Sequence, residues 1–287
     1  MAQDTPIEWP HHTFNPWWGC IKVNQDCEHC YAWHFASVRL GLPIWGPGAD
    51  RRFFDDKHWA EPLKWNRKAK ERNERHRVFC ASMADVFEDR PDLQPQRRRL
   101  WKLIAATPHL DWLLLTKRPR NIPEMLPWFW NDHPQQNVWL GTTCGHQKAA
   151  DQFIKPLTKV PASVHFLSVE PLLEAVSLDL AGINWVICGG ESGPKARPMN
   201  PDWARSVRDQ CQAAGVAFFF KQWGKSSNNP DRSDPTAKQN GGDAKGGRML
   251  DGRTWDELPP GIRPSTLKGD VGDAKPGGVL FSLPVLE

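Results

Sequence analysis

Six short apolar runs, each stopping abruptly at polar or glycine residues, recur along this 287-residue chain, and they constrain its fold more than any other feature. They are Val78–Ser82, Trp112–Thr116, Val138–Thr142, Val164–Ser168, Trp185–Gly189 and Val216–Lys221. Nearly continuous apolarity with β-branched and aromatic content marks strands buried on both faces, the habit of parallel sheets covered by helices. The runs start roughly 20 to 35 residues apart, the size of a βα unit. Helices are expected between them at Gln94–Ala106, His146–Ile154 and Pro201–Ala214, the last with Asn200 as cap and Pro201 in the first position. A seventh strand is expected around His12–Phe14, with a helix over Ala32–Leu40.

Repeated βα units build either a doubly wound sheet or a barrel, and both place their chemistry at the carboxyl ends of the strands. The residues there are Ser82 and Asp85, then Thr116, Lys117 and Arg118, then Thr142 and Thr143, Ser168 and Glu170, Glu191 and Ser192, and Lys221 and Gln222. Parallel strands would bring all of them to one rim. Any one of them, taken alone, reads equally well as a cap or turn residue.

The loop after the expected first strand carries Cys20-x6-Cys27-x2-Cys30, three of the seven cysteines in eleven positions. An odd cysteine count without a secretory signal points away from disulfides and toward metal or redox chemistry. Two cysteines separated by two residues can offer both thiolates to one centre, and a third completes a tripod. His34 would make the set Cys3His, a closed structural zinc site. Three thiolates without it would leave one iron of an iron–sulfur cube open. Position on the catalytic rim of a βα fold favours the open site. Cys80, Cys144, Cys188 and Cys211 fall in strands and a helix, where buried packing is the default.

Composition adds modest limits. No stretch approaches the roughly 18 apolar residues of a membrane span, and the amino terminus lacks an apolar signal core, so a cytoplasmic protein is expected. Net charge is +4, with basic residues concentrated in Lys64–Arg77 and Arg97–Arg99. Those stretches suit an anionic partner, or a solvated helix face in which Arg67–Glu71 and Lys70–Glu74 meet at four-residue spacing. Sixteen tryptophans against one tyrosine supply either core or base-stacking surface. GGESGPK lacks the order of a phosphate loop, no GxGxxG follows a strand, and no HExxH pair occurs. After Trp223 the chain loses periodicity through Gly247, regains apolar anchors at Arg248–Pro259, and ends in a Pro- and Gly-rich tail.

Three cysteines ending in CxxC within the first βα loop resemble the radical S-adenosylmethionine enzymes. The stretches FNPWWGC, CEHCYA, ASMADVF, LLLTKRP, FLSVEPLL, WVICGGESG and FFFKQWG resemble more closely a phage and bacterial family of uncharacterised proteins with a three-cysteine motif. The resemblance covers about residues 8–259. It implies a partial (β/α) barrel of six to seven parallel strands over residues 1–223, with 224–287 as a loop-rich extension, either a lid or a plain tail. It further implies a [4Fe-4S] cluster on Cys20, Cys27 and Cys30, S-adenosylmethionine on the fourth iron, a 5′-deoxyadenosyl radical, and an electron donor as partner.

His29 would stand near the adenine. Ser82, Asp85, Thr116, Lys117, Ser168 and Glu170 are the expected shell for the cofactor, and Glu191, Lys221 and Gln222 lie on the substrate side. The interval between the first two cysteines is longer than usual in that superfamily. Its GGE segment after the second strand is replaced by Ser82-Met83-Ala84-Asp85, and Gly189-Gly190-Glu191 comes four strands later. The expected substrate is a nucleotide or nucleic-acid base, which an enzyme would have to extrude from a duplex. A zinc-containing nucleic-acid-binding protein without catalysis is the alternative, and a barrel with a purely structural cluster is a third.

Overall fold

The computed structural model describes residues 5, 7–193, 195–238 and 246–261. Seven parallel strands form one sheet: β1 (His12–Thr13), β2 (His76–Cys80), β3 (Leu110–Thr116), β4 (Val138–Thr143), β5 (Val164–Val169), β6 (Trp185–Gly189) and β7 (Ala217–Gln222). They pair in sequence order from β1 to β7. A doubly wound sheet would reverse that order at a switch point and carry helices on both faces. Here each new strand joins the same edge, and the sheet curls into a half-barrel.

The connecting helices are α1 (Tyr31–Trp33), α2 (Asp56–Glu71), α3 (Gln94–Ala105), α4 (Ile122–Met125), α5 (Gln147–Thr158) and α6 (Pro201–Ala214). Local chemistry sets their ends. Asp55 Oδ1 accepts from the His58 amide at 3.0 Å to start α2. Asn200 accepts from the Asp202 amide at 3.0 Å, Pro201 takes the first position of α6, and Gly215 ends it at φ +67°. The expected helix over Ala32–Leu40 is one α-helical turn that continues as a π-helical turn, His34–Arg39. Between β5 and β6 the chain crosses without a helix.

Alternate residues along each strand serve two cores. Val78 and Cys80, Trp112 and Leu114, Val138 and Leu140, and Phe218 and Phe220 pack outward under the helices. Phe79, Leu113, Trp139, Phe166, Trp185 and Phe219 fill the concave side, joined by Trp9 from the amino-terminal segment. Trp185 is the hub of this inner core. Its ring lies 6.1 Å from those of Trp9, Trp139 and Phe166 and 6.0 Å from Phe219, mostly edge to face. Such pairs add about 0.5–1.5 kcal/mol each beyond burial. Cys80, Cys144, Cys188 and Cys211 are buried in apolar packing.

Two compositional expectations resolve here. Lys64–Arg77 is not one helix face. α2 ends at Glu71, Arg75 pairs with Asp111 at 2.5 Å, and Arg77 is buried in β2 with its Nε donating to the Trp9 carbonyl. Most tryptophans, including Trp59, Trp65, Trp112, Trp130, Trp139 and Trp185, are core.

The amino-terminal end of the half-barrel carries a histidine cluster. His11 Nδ1 accepts from the Arg77 amide at 2.8 Å, and its ring stacks on His76 at 4.9 Å. Burial, then the neighbouring charges of Arg77, His76 and His12, press its pKa down to about 2. The unfolded chain protonates His11 near 6.5 and the folded chain does not. Its stabilising contribution is therefore complete above pH 6.5 and is lost progressively as pH falls toward 2. The urea midpoint should drop between pH 7.5 and pH 5, and His11→Asn should flatten that drop; an unchanged slope would remove His11 as its source.

Residues Arg248–Pro259 contain the hairpin β8 (Met249–Leu250) and β9 (Arg253–Thr254) and then run antiparallel along the free edge of β7. Phe220 N donates to the Trp255 carbonyl at 2.9 Å, and Glu257 Oε2 accepts from Phe218 N at 2.9 Å. Trp185 Nε1 donates to the Glu257 carbonyl at 2.8 Å, so this segment also seals the inner core. The proposed lid over 224–287 falls partly on 239–245 and 262–287, outside the described residues.

Candidate active site at the carboxyl end of the half-barrel

The loop between β1 and α1 is built to lie across the strand ends. Asn15 Nδ2 donates to Ser82 Oγ at 3.0 Å, and its Oδ1 accepts from the Met83 amide at 2.7 Å, clasping the loop to the end of β2. Gly19 stands at φ +110°, and a Cβ there would come within 2.3 Å of the Ile44 carbonyl oxygen, so only glycine fits immediately before Cys20. The buried Arg51 holds the neighbouring turn through Glu88 at 2.6 Å and the carbonyls of Ile44, Gly46 and Ala49. Cys27 closes a 3-10 turn started by Asn24, whose Oδ1 accepts from Asp26 N at 3.1 Å. Cys30 occupies the cap position of α1.

A cavity of about 330 Å³ opens at this end. Cys20, Cys27, Cys30 and His29 line one side, and Ser82, Asp85, Thr116, Lys117, Ser168, Glu170, Glu191 and Lys221 come from the ends of β2, β3, β5, β6 and β7. Trp9, Phe79 and Leu115 of the inner core contribute its apolar part. Of the residues expected to hold the cluster, the cofactor or the substrate, Gln222 is off the wall. It sits behind, with Nε2 donating to Glu170 Oε1, Gly190 O and Ser192 Oγ at 3.1, 3.2 and 2.9 Å. His34 is not on the wall either.

Hydrogen bonding divides the lining residues by role. Glu170 is paired with Lys221 Nζ at 2.6 and 2.8 Å, a charge pair on the wall formed by β5 and β7. Glu191 accepts from Arg197 N, Nε and Nη2 and pairs with His29 Nδ1 at 3.0 Å. Burial pushes the Glu191 carboxyl upward, but the Arg197 and His29 hydrogen bonds outweigh it and hold the group below the usual range. Arg197 also donates to Gln25 O at 3.1 Å, so the loop after β6 grips the cysteine loop. His29 is thereby tied to protein, with its ring fixed by Glu191. Thr143 Oγ1 is buried on the wall with no hydrogen-bond partner among the described residues.

The sulfur side is rich in fixed cations. Arg118 Nη1 lies 3.7 Å from Cys20 Sγ. Burial, with Asp85 adding to it, pushes the Cys20 thiol up to about 12 against the opposing pull of Arg118. Burial disfavours the Lys117 ammonium, yet Cys27, Asp26, Cys30 and Asp85 together hold its proton more firmly than usual. Cations beside thiols favour the thiolate form, the form that binds metal. Among the described residues, no three Cys, His, Asp or Glu side chains are gathered closely enough to hold a metal ion. The donor set nonetheless fits a thiolate-held cluster in chemistry and count: three sulfurs from one loop on one cavity wall, faced by compensating charge.

The model of a family described as a protein of unknown function, DUF5131, matches residues 4–259. The chain belongs to the DUF5131 family. No curated protein and no solved structure matches it. The matched span of this DUF5131 chain takes in the whole half-barrel, every residue on the cavity wall and the segment along β7. Among the described residues, no helix is long and apolar enough to cross a membrane.

Arg118 stood among the rim residues in the sequence without a role, and Arg197 carried no signal at all. Its position in a glycine- and proline-rich loop gives no hint that it meets the cysteine loop, more than 160 residues away.

Proposed function

We propose that the cavity is the active site of a radical S-adenosylmethionine-type enzyme acting on a nucleotide or nucleic-acid base. The observation that carries this reading is the meeting of three loop thiols with polar groups from six strand ends in one cavity. When bound, a [4Fe-4S] cluster held by Cys20, Cys27 and Cys30 supplies one-electron cleavage of S-adenosylmethionine. The chain's own share is placement and exclusion of water. Lys117 offers a cation on the sulfur side, and the Glu170–Lys221 pair offers both charges to a zwitterionic or hydroxylated ligand. The apolar floor of Trp9, Phe79 and Leu115 keeps one side of the cavity dry.

Support for a base as substrate lies near the cysteine loop. Tyr31 and Trp45 line the cavity, Lys22 sits 5.2 Å from the Trp33 ring, and Arg52 sits 5.2 Å from that of Trp18. Aromatic faces accompanied by cations suit stacked bases and phosphates. A separate reductant would be the partner that supplies the electron.

Anaerobic purification followed by iron, sulfide and zinc analysis tests the first half of the proposal. Iron and sulfide in cluster stoichiometry are expected, and the reduced protein should then release 5′-deoxyadenosine from S-adenosylmethionine. Stoichiometric zinc without iron would replace this reading with the Cys3His alternative. A full cluster that yields no 5′-deoxyadenosine would leave a structural cluster in its place.

A further inference from the structure

Asp85 faces the cavity, where a carboxylate is expected to take a ligand's ammonium or hydroxyls, but its bonding leaves no room for that. Oδ1 accepts from Phe87 N at 3.0 Å and Thr116 Oγ1 at 2.7 Å, and Oδ2 accepts from Lys117 N at 3.1 Å and Arg118 Nη1 at 2.8 Å. A carboxylate offers about four acceptor sites, and all are used within the protein. The turn Thr116–Arg118 is wrapped around this one group.

Arg118 is held just as closely. Nη1 lies between Asp85 Oδ2 and Cys20 Sγ, and Nη2 donates to the Ile21 carbonyl at 2.8 Å, on the residue that follows Cys20. Its side chain is 11% exposed, and the rigid guanidinium fork leaves it one orientation. The chain of contacts runs from the ends of β2 and β3 to a single sulfur, the one that precedes the long interval in the cysteine motif.

We propose that Asp85 and Arg118 are paired positioning residues that set the electrostatic potential at the Cys20 sulfur. In a cluster held by Cys20, Cys27 and Cys30, Arg118 raises the reduction potential and Asp85 opposes it. This rests on the cluster reading above. Reduction adds negative charge to a cluster, hydrogen bonds to its sulfurs and nearby charge tune the potential, and outer partners also orient the ligand. A cation fixed beside one thiolate stabilises the reduced form. The carboxylate that holds it acts on the same sulfur in the opposite sense.

The test compares wild type, Arg118→Met, Arg118→Lys and Asp85→Asn after anaerobic reconstitution, reading iron content and then the midpoint potential by titration followed by electron paramagnetic resonance. Arg118→Met should shift the potential negative, Arg118→Lys should fall between it and wild type, and Asp85→Asn should shift it positive. Opposite signs from two residues in contact are what a charge role predicts. Potentials that are unchanged, or that move in the same direction in all variants, would reduce the pair to a structural tie and overturn the proposal while leaving the cluster in place. Should Arg118→Met lose its iron, Arg118→Lys and Asp85→Asn still decide by the sign of their shifts. A wild type that takes up no iron would overturn the cluster reading itself, and this one with it.

Discussion

Cys27→Ala is expected to abolish both iron binding and 5′-deoxyadenosine formation, while His34→Ala leaves both nearly at wild-type levels. Cys27 is buried at the end of its 3-10 turn, with its residue on the cavity wall, and alanine leaves two thiols where a cluster needs three. His34 lies off that wall, in the π-helical turn, where its amide donates to the Cys30 carbonyl at 3.0 Å whatever its side chain. The pair therefore separates the two metal readings in one measurement. Loss of zinc from His34→Ala, or product from Cys27→Ala, would refute the ligand assignment. Circular dichroism of both variants should match wild type, since neither side chain belongs to the sheet cores.

The second large effect is expected at Gly141 in β4. Its neighbour across the sheet is Phe166 in β5, and the two are in register. A Cβ on residue 141 would lie 2.3–2.5 Å from three atoms of the Phe166 ring, so the ring occupies the space that any side chain would need. Phe166 is fully buried against Trp9 and Trp185 and has nowhere to go. Overpacking of this kind costs about 1–3 kcal/mol and at times more. Phe166→Ala alone should cost about 3–5 kcal/mol. The double variant Gly141→Ala/Phe166→Ala should cost clearly less than the two together, because the alanine of the first fills space vacated by the second. Strictly additive losses in urea denaturation would show that the contact is not what requires glycine here.

Legibility in the sequence followed the range of the forces involved. Strands β2 to β7 were readable because burial on both faces writes apolarity into consecutive residues, and α6 was readable to the residue because Asn200, Pro201 and Gly215 are local stop and start signals. β1 was harder, since two residues carry little pattern and their strand character comes from pairing with Val78 and Phe79. The π-helical turn at His34–Arg39 has no propensity signature.

The rim was anticipated almost residue by residue, because parallel strands must deliver their carboxyl ends to one side. What those residues do was less legible. Asp85 and Gln222 look like ligand contacts in a list of polar strand ends, yet both are engaged by partners from other strands and loops. Those partners are fixed only once the sheet has formed. The basic stretch Lys64–Arg77 could not be read as one unit for the converse reason: its charges are contiguous in sequence but divided in space between a helix surface, an ion pair with Asp111 and a buried strand residue.

An incomplete barrel has two raw margins, and at β7 the protein covers its own. With Trp255 and Glu257 supplying acceptors to Phe220 and Phe218, that flank offers little to a second molecule seeking to extend the sheet. Chains cut short ahead of Trp255 would present this margin bare, and self-association at the flank, rather than loss of the cavity, is the fault they would show first.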